Sequence, residues 1–153
     1  ELHNWIYGCD ICQEVCPWNE RFAEATGAPA YRASQDLDGP SLLDLAETLL
    51  STDELGFRKT FKKSAIKRAK RSGFLRNICI ALGNWGAPAA VTTLLRALSD
   101  IEPLVRGHAA WALGQIGSSS ARSALSEKLT SEEDAWVRTE IVAAIETQDS
   151  SSF

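Results

Sequence analysis

The chain has 153 residues, 44% of them hydrophobic and 24% charged, which is enough for one sizeable core and a small appendage rather than a disordered tail. No apolar run approaches the ~18 residues that cross a bilayer, and Glu1-Leu2-His3-Asn4-Trp5 has neither part of a secretory signal. A cytoplasmic protein without a membrane segment is therefore expected. The net charge of −4 conceals an asymmetry: nine of the sixteen bases lie between Arg58 and Arg76 with no acid among them, against seven bases and twenty acids elsewhere.

Residues 1–20 are irregular and cysteine-rich, with the run Cys9-Asp10-Ile11-Cys12-Gln13-Glu14-Val15-Cys16-Pro17. Two thiols three residues apart on a tight turn can face one metal centre. A further cysteine followed by proline ends the ligand runs of bacterial ferredoxins, where that last cysteine serves the other cluster. The spacing predicts Cys9 and Cys12 on one iron–sulfur cluster and Cys16 on a second. Zinc, or thiols left free or joined in a disulfide, are the alternatives. For zinc a fourth ligand is wanting: Cys79 lies on an apolar stripe between Ile78 and Ile80, where a buried thiol is expected, and His3 stands at no common zinc spacing from Cys9. The chain contains no Met, and three thiols cannot complete a four-iron cluster. It therefore reads as part of a longer polypeptide, with the remaining ligands upstream or on another chain.

Residues 21–40, rich in Ala, Gly, Pro and Asp, read as a linker or wrapping arm. From Ser41 the pattern turns helical. Leu42-Leu43-Asp44-Leu45-Ala46-Glu47-Thr48-Leu49-Leu50 carries an apolar stripe, with Ser41 and Asp44 placed as the two halves of a capping box. Over 54–71, Phe57, Phe61, Ala65 and Ala69 recur every four residues while Lys59, Lys63, Lys67 and Lys70 follow another face, so a single basic helix is expected. Bases at such spacing can meet successive phosphates, and A-form RNA is held largely through its backbone. Lys63, Lys67, Arg68, Lys70, Arg71 and Arg76 are the candidate RNA-binding residues; an ordinary solvated face is the alternative.

The remainder is repetitive. Leu75-Arg76 leads into Ala81-Leu82-Gly83, Val105-Arg106 into Ala112-Leu113-Gly114, and Val137-Arg138 into Ala143-Ala144-Ile145, at spacings of 30 and 32 between the leading residues. Second apolar helices are expected over 89–98 and 120–129. This part resembles the HEAT repeats, whose helix pairs cannot bury their apolar faces alone and therefore stack. The small residues are expected to permit close turns, the repeat arginines to reach neighbouring helix ends or acids, and Trp85, Trp111, Trp136 and His108 to pack within or between repeats. The acidic stretch 127–134 and the polar stretch 148–152 suit a solvent-facing end. The predicted fold is all-α, a HEAT-like solenoid over 41–153 preceded by an irregular ferredoxin-like iron–sulfur segment over 1–20.

Taken together, Ile6-Tyr7-Gly8-Cys9-Asp10-Ile11-Cys12-Gln13-Glu14-Val15-Cys16-Pro17-Trp18-Asn19, Lys67-Arg68-Ala69-Lys70-Arg71-Ser72-Gly73-Phe74-Leu75-Arg76-Asn77 and Ala81-Leu82-Gly83-Asn84 resemble the C-terminal part of the tRNA epoxyqueuosine reductases. The resemblance implies an enzyme that converts epoxyqueuosine to queuosine at the tRNA wobble position. It implies two 4Fe-4S clusters, cobalamin held mainly by an N-terminal domain absent from this chain, an external low-potential electron donor, and a monomer. On it Cys9 and Cys12 match one cluster's ligands and Cys16 the other's, Trp18 and Asn19 pack around the cluster, and no catalytic residue falls in this chain. Two other functions compete: a related cobalamin and iron–sulfur reductase of a small molecule, and a HEAT-repeat adaptor that binds protein. A basic face turned toward the cysteine segment favours tRNA; a closed, apolar groove with the basic face exposed to solvent favours the adaptor.

Overall fold

The computed structural model describes residues 6–25, 27, 28 and 41–150. The linker or arm expected over 21–40 lies mostly outside the described residues. Nine α-helices occur among them: α1 (Ile11–Glu14), α2 (Pro17–Phe22), α3 (Leu42–Leu50), α4 (Glu54–Thr60), α5 (Lys70–Trp85), α6 (Val91–Ala97), α7 (Pro103–Ile116), α8 (Ser119–Ser131) and α9 (Ala135–Ser150). Short 3-10 helices occupy Ala65–Ala69 and Pro88–Ala90, and no strand is present among the described residues. None of these helices is long and apolar enough to cross a membrane.

Local chemistry sets the helix ends. Ser41 Oγ accepts from the Asp44 N–H at 3.1 Å and donates to its carboxylate at 2.7 Å, as the capping pattern predicts. Asp53 caps α4 through the Gly56 N–H at 2.7 Å, and Ser118 caps α8 through the Ala121 N–H at 3.1 Å. At the other ends, Gly86 and Gly117 close α5 and α7 at φ 68° and 70°, where a side chain would be strained.

Helices α5, α7 and α9 stack directly on one another as one layer, and α6 and α8 pack on α7 and α9 as the second, with α3 joining α5 to α6. This is the expected all-α, HEAT-like solenoid. The repeated small residues have a role beyond turns: a Cβ built on Gly83 would come within 2.9 Å of the Ala112 Cα, and one on Gly114 within 2.9 Å of the Ala144 Cα. Glycine is therefore needed where successive helices of the layer touch. Gly107 likewise admits Trp136, and Gly83 admits Trp111, so both tryptophans make the expected contacts between repeats. Trp85, by contrast, is exposed.

One expected element does not form. In place of a continuous helix over 54–71, α4 stops at Thr60, a turn follows, Ser64 caps the 3-10 helix through the Ile66 N–H, and α5 starts afresh at Lys70. The aromatic core explains the break. Phe57, Phe61 and Phe74 gather at centroid separations of 4.7, 5.6 and 6.1 Å, whereas an unbroken helix would hold Phe57 and Phe74 about 25 Å apart. Lys59, Lys62 and Lys63 add like-charge repulsion at three- and four-residue spacing. Burial of the three rings outweighs helical propensity.

Candidate nucleic-acid interface

The break concentrates charge instead of spreading it along a helix. Arg58 and Lys59 on α4, Lys62 and Lys63 in the turn, Lys67 and Arg68 on the 3-10 helix and Lys70 at the start of α5 are all exposed. None of them forms an ion pair among the described residues. Lys70 sits at φ 58° and ψ 168°, a conformation that costs a non-glycine residue roughly 1–3 kcal/mol. Its neighbour holds it there: the Arg71 N–H donates to Glu54 Oε2 at 2.9 Å.

Arg71 itself leaves the expected RNA-binding set. Its side chain is buried, with Nε donating to the Leu49 carbonyl at 3.1 Å and the two terminal nitrogens gripping the Asp100 carboxylate at 3.1 and 2.5 Å. Three of its five N–H donors are so engaged and the residue is only 7% exposed, which leaves little of it for a phosphate. The cause is the new helix start, which directs residue 71 inward across α3 toward the end of α6.

The same arrangement recurs along the solenoid. Arg106 donates to both Glu132 oxygens at 2.8 and 2.7 Å and to the Asp100 and Ile101 carbonyls at 3.0 Å. Arg138 donates to the carbonyls of Leu129 and Glu132 at 2.8 and 3.0 Å. Hydrogen bonding from Arg106, aided by the Asp134 N–H and Lys128, lowers the Glu132 carboxyl to about 2. In this ladder Arg71, not Arg76, corresponds to Arg106, since each grips the acid that precedes the next helix of the layer. The repeat arginines reach acids or helix ends as expected, but Asp100 and Glu132 were not singled out; their separations of 29 and 26 residues from the arginines, close to the repeat length, were the available signal.

Arg76 is half-buried and donates to Asn77 Oδ1 at 3.0 and 2.8 Å, while Asn77 Nδ2 donates to the Ile6 carbonyl at 2.8 Å. Tyr7 Oη donates to the Ala65 carbonyl at 2.7 Å, and its ring meets Phe74 edge-on. Through these bonds the chain just before the cysteines is pinned to the 3-10 helix that carries Lys67 and Arg68 and to the first half of α5. Tyr7 and Asn77 are thus positioning residues that composition and periodicity did not single out.

Beyond Gly8, which turns at φ 73°, Cys9 precedes α1, Cys12 lies on it and Cys16 precedes Pro17 at the start of α2. Asn19 Nδ2 donates to the Gln13 carbonyl at 3.0 Å and fastens the two helices together. All three cysteines are free thiols; Cys9 and Cys12 are exposed and Cys16 half-buried. Among the described residues no group of three His, Cys, Asp or Glu side chains converges to hold a metal, so this segment does not of itself build a closed cluster site. Trp18 is 71% exposed and stacks on Phe22 at 5.2 Å. Cys79 is buried in the core, as expected, and burial pushes its thiol up to about 12.

Comparison with known proteins agrees with this architecture. A family model described as HEAT repeats matches residues 63–146. The epoxyqueuosine reductase of Xanthomonas campestris pv. campestris is 41% identical over 117 residues, covering 76% of this chain and 32% of that protein. The enzyme of the same name from Salmonella typhimurium is 39% identical over 114 residues, covering 74% and 28%. A crystal structure of epoxyqueuosine reductase with a tRNA-Tyr epoxyqueuosine-modified tRNA stem loop matches with a TM-score of 0.83 at 29% identity, over 96% of this chain and 38% of that one. The chain thus spans about a third of the length of the relatives it matches. It belongs to the HEAT-repeat family and, across most of its length, is homologous to the epoxyqueuosine reductases.

Proposed function

We propose that this chain is the cysteine-run and solenoid part of an epoxyqueuosine reductase, which converts epoxyqueuosine to queuosine at the tRNA wobble position. On this reading residues 1–20 end a two-cluster ferredoxin-like module, 21–40 link it onward, and 41–153 form the repeat domain. The observation that carries it is the attachment of the cysteine segment to the basic segment, through Tyr7 on Ala65 and Asn77 on Ile6, in a chain homologous to enzymes of that name. An adaptor would not need a strongly basic surface beside a cysteine run.

Lys63, Lys67, Arg68 and Lys70 hold the RNA by its phosphates, with Arg76 at the margin. Their charge is exposed and unpaired, so each can replace a condensed counterion. Buried Arg71 serves the scaffold. Phosphate contacts of this kind position a stem without reading its bases.

The donor chemistry of the cysteine run fits iron–sulfur ligation. The thiols of Cys9, Cys12 and Cys16 are free and soft, and Cys9 and Cys12 are open to a partner. Cys9 and Cys12 hold one cluster and Cys16 the other; each four-iron cluster takes four thiolates, so other parts of the polypeptide complete both. Such clusters carry single electrons, supplied here by an external low-potential donor. Cobalamin is held outside this chain, and the protein acts as a cytoplasmic monomer.

The test is tRNA-dependent epoxide reduction by the full-length polypeptide carrying Cys12→Ala. Turnover and iron content should fall while tRNA affinity stays within about twofold, because the phosphate contacts lie elsewhere. Unchanged iron and unchanged turnover would contradict the reading. Reduction of a small molecule without tRNA would transfer it to the related reductases.

A further inference from the structure

The face of the stacked layer that carries Ile80 on α5, His108 and Trp111 on α7 and Glu140 on α9 encloses an open cleft of about 250 Å³. Neither the basic segment nor the cysteine run contributes to it. His108 Nδ1 lies 2.9 Å from the Leu104 carbonyl of its own helix. That contact is a hydrogen bond only if Nδ1 donates, which leaves Nε2 of the neutral ring with a lone pair. The Trp111 indole, braced over Gly83, forms a second wall, and Trp136 packs on the His108 ring at 5.6 Å. The Glu140 carboxylate has no hydrogen bond or ion pair among the described residues. The nearby arginines Arg106 and Arg138 are already engaged with Glu132 and with backbone carbonyls.

A carboxylate, an aromatic ring system and an imidazole lone pair all offer electron density. Together they favour a cation and oppose an anion. Two ligating side chains, His108 and Glu140, are too few for a metal site, and the indole supplies no further donor. The volume suits the head of one side chain rather than a whole cofactor, and the cleft's open mouth lets a longer chain continue past it. Outside residues 58–76 the chain carries twenty acids against seven bases, a balance that suits a basic partner better than an acidic one.

We propose that this cleft is a second binding site, which takes a guanidinium or ammonium group presented as an arginine or lysine side chain by a partner protein segment. The cation packs against Trp111 and pairs with Glu140, and His108 Nε2 accepts one of its protons. A nucleobase stacked on Trp111 is the competing occupant, but the phosphate that accompanies it would be repelled by Glu140.

The experiment follows the Trp111 indole N–H signal by NMR in the whole chain, assigned with Trp111→Phe, during titration with a short arginine peptide. Its citrulline analogue keeps the shape and loses the charge. The signal should move with arginine, with affinity at least tenfold weaker for citrulline and for Glu140→Gln; free spermidine binding as tightly as the peptide would show a small-amine site instead. Equal responses to arginine and citrulline, or an unchanged response in Glu140→Gln, would overturn the proposal. So would movement of the Trp111 signal on addition of an RNA stem loop alone, which would assign the cleft to a base. Because peptide and RNA are read separately, failure of the tRNA reading leaves the peptide result standing.

Discussion

Within one basic string, Lys70 and Arg71 are adjacent and have opposite fates. Lys70 is exposed at a strained backbone angle, and Arg71 is only 7% exposed and paired with Asp100. Removing one partner of a buried pair leaves an uncompensated charge, which costs about 3–5 kcal/mol. Arg71→Gln should therefore lower the urea midpoint sharply while Lys67→Gln leaves it unchanged; equal midpoints for the two variants would mean that Asp100 finds another partner. Glu132 gives the pH dependence. Its carboxyl titrates near 2 in the folded chain, against 4.5 as a free group, so the folded state binds fewer protons between those values. Its stabilisation, about 3 kcal/mol by linkage, is complete above pH 4.5 and is lost as pH falls toward 2. Urea midpoints measured from pH 6 to pH 3 should fall in the wild type, and Glu132→Gln should flatten that part of the curve.

Two glycines of α5 separate packing from propensity. A Cβ at Gly83 meets backbone of α7 at 2.9 Å, whereas one at Gly73 meets nothing within 4 Å. Gly73→Ala should stabilise the chain by about 0.5–1 kcal/mol, the ordinary helical gain over glycine. Gly83→Ala should destabilise it by about 1–3 kcal/mol, because two helices would have to separate. Thermal unfolding of both variants checks the pair, and a stabilised Gly83→Ala would mean that α5 and α7 are not pressed together there. At this scale the caps at Ser41 and the helix pairs of the repeats were legible in sequence, since both depend on neighbours within a few residues. The break between α4 and α5 was not, because it follows from Phe74 meeting Phe57 and Phe61, a contact over more than ten residues. Periodicity marked Phe57 and Phe61 as buried but carried no information about where the chain would reverse.

Across the whole molecule, the solenoid was readable because each repeat restates the same apolar pattern, whereas the reading of the cysteine run rests on its spacing, which is chemical rather than topological. The site was readable only in part. Charge density marked the basic segment, but exposure, which decides what a base can touch, set buried Arg71 aside and left half-buried Arg76 at the margin. The bonds that bring the cysteine run to the basic segment depend on Tyr7 and Asn77, residues with no pattern of their own. The central claim is that the exposed part of this segment is a phosphate-binding surface. It is tested most directly by tRNA affinity across a salt series for the chain carrying Lys67→Gln, Arg68→Gln and Lys70→Gln, with circular dichroism to verify the fold. Weaker binding to all tRNAs alike is expected, with the logarithmic salt slope reduced by roughly 2–3, since each lost phosphate contact removes about 0.7–0.9. An unchanged affinity and slope in the folded variant would contradict the claim and leave the segment an ordinary solvated face.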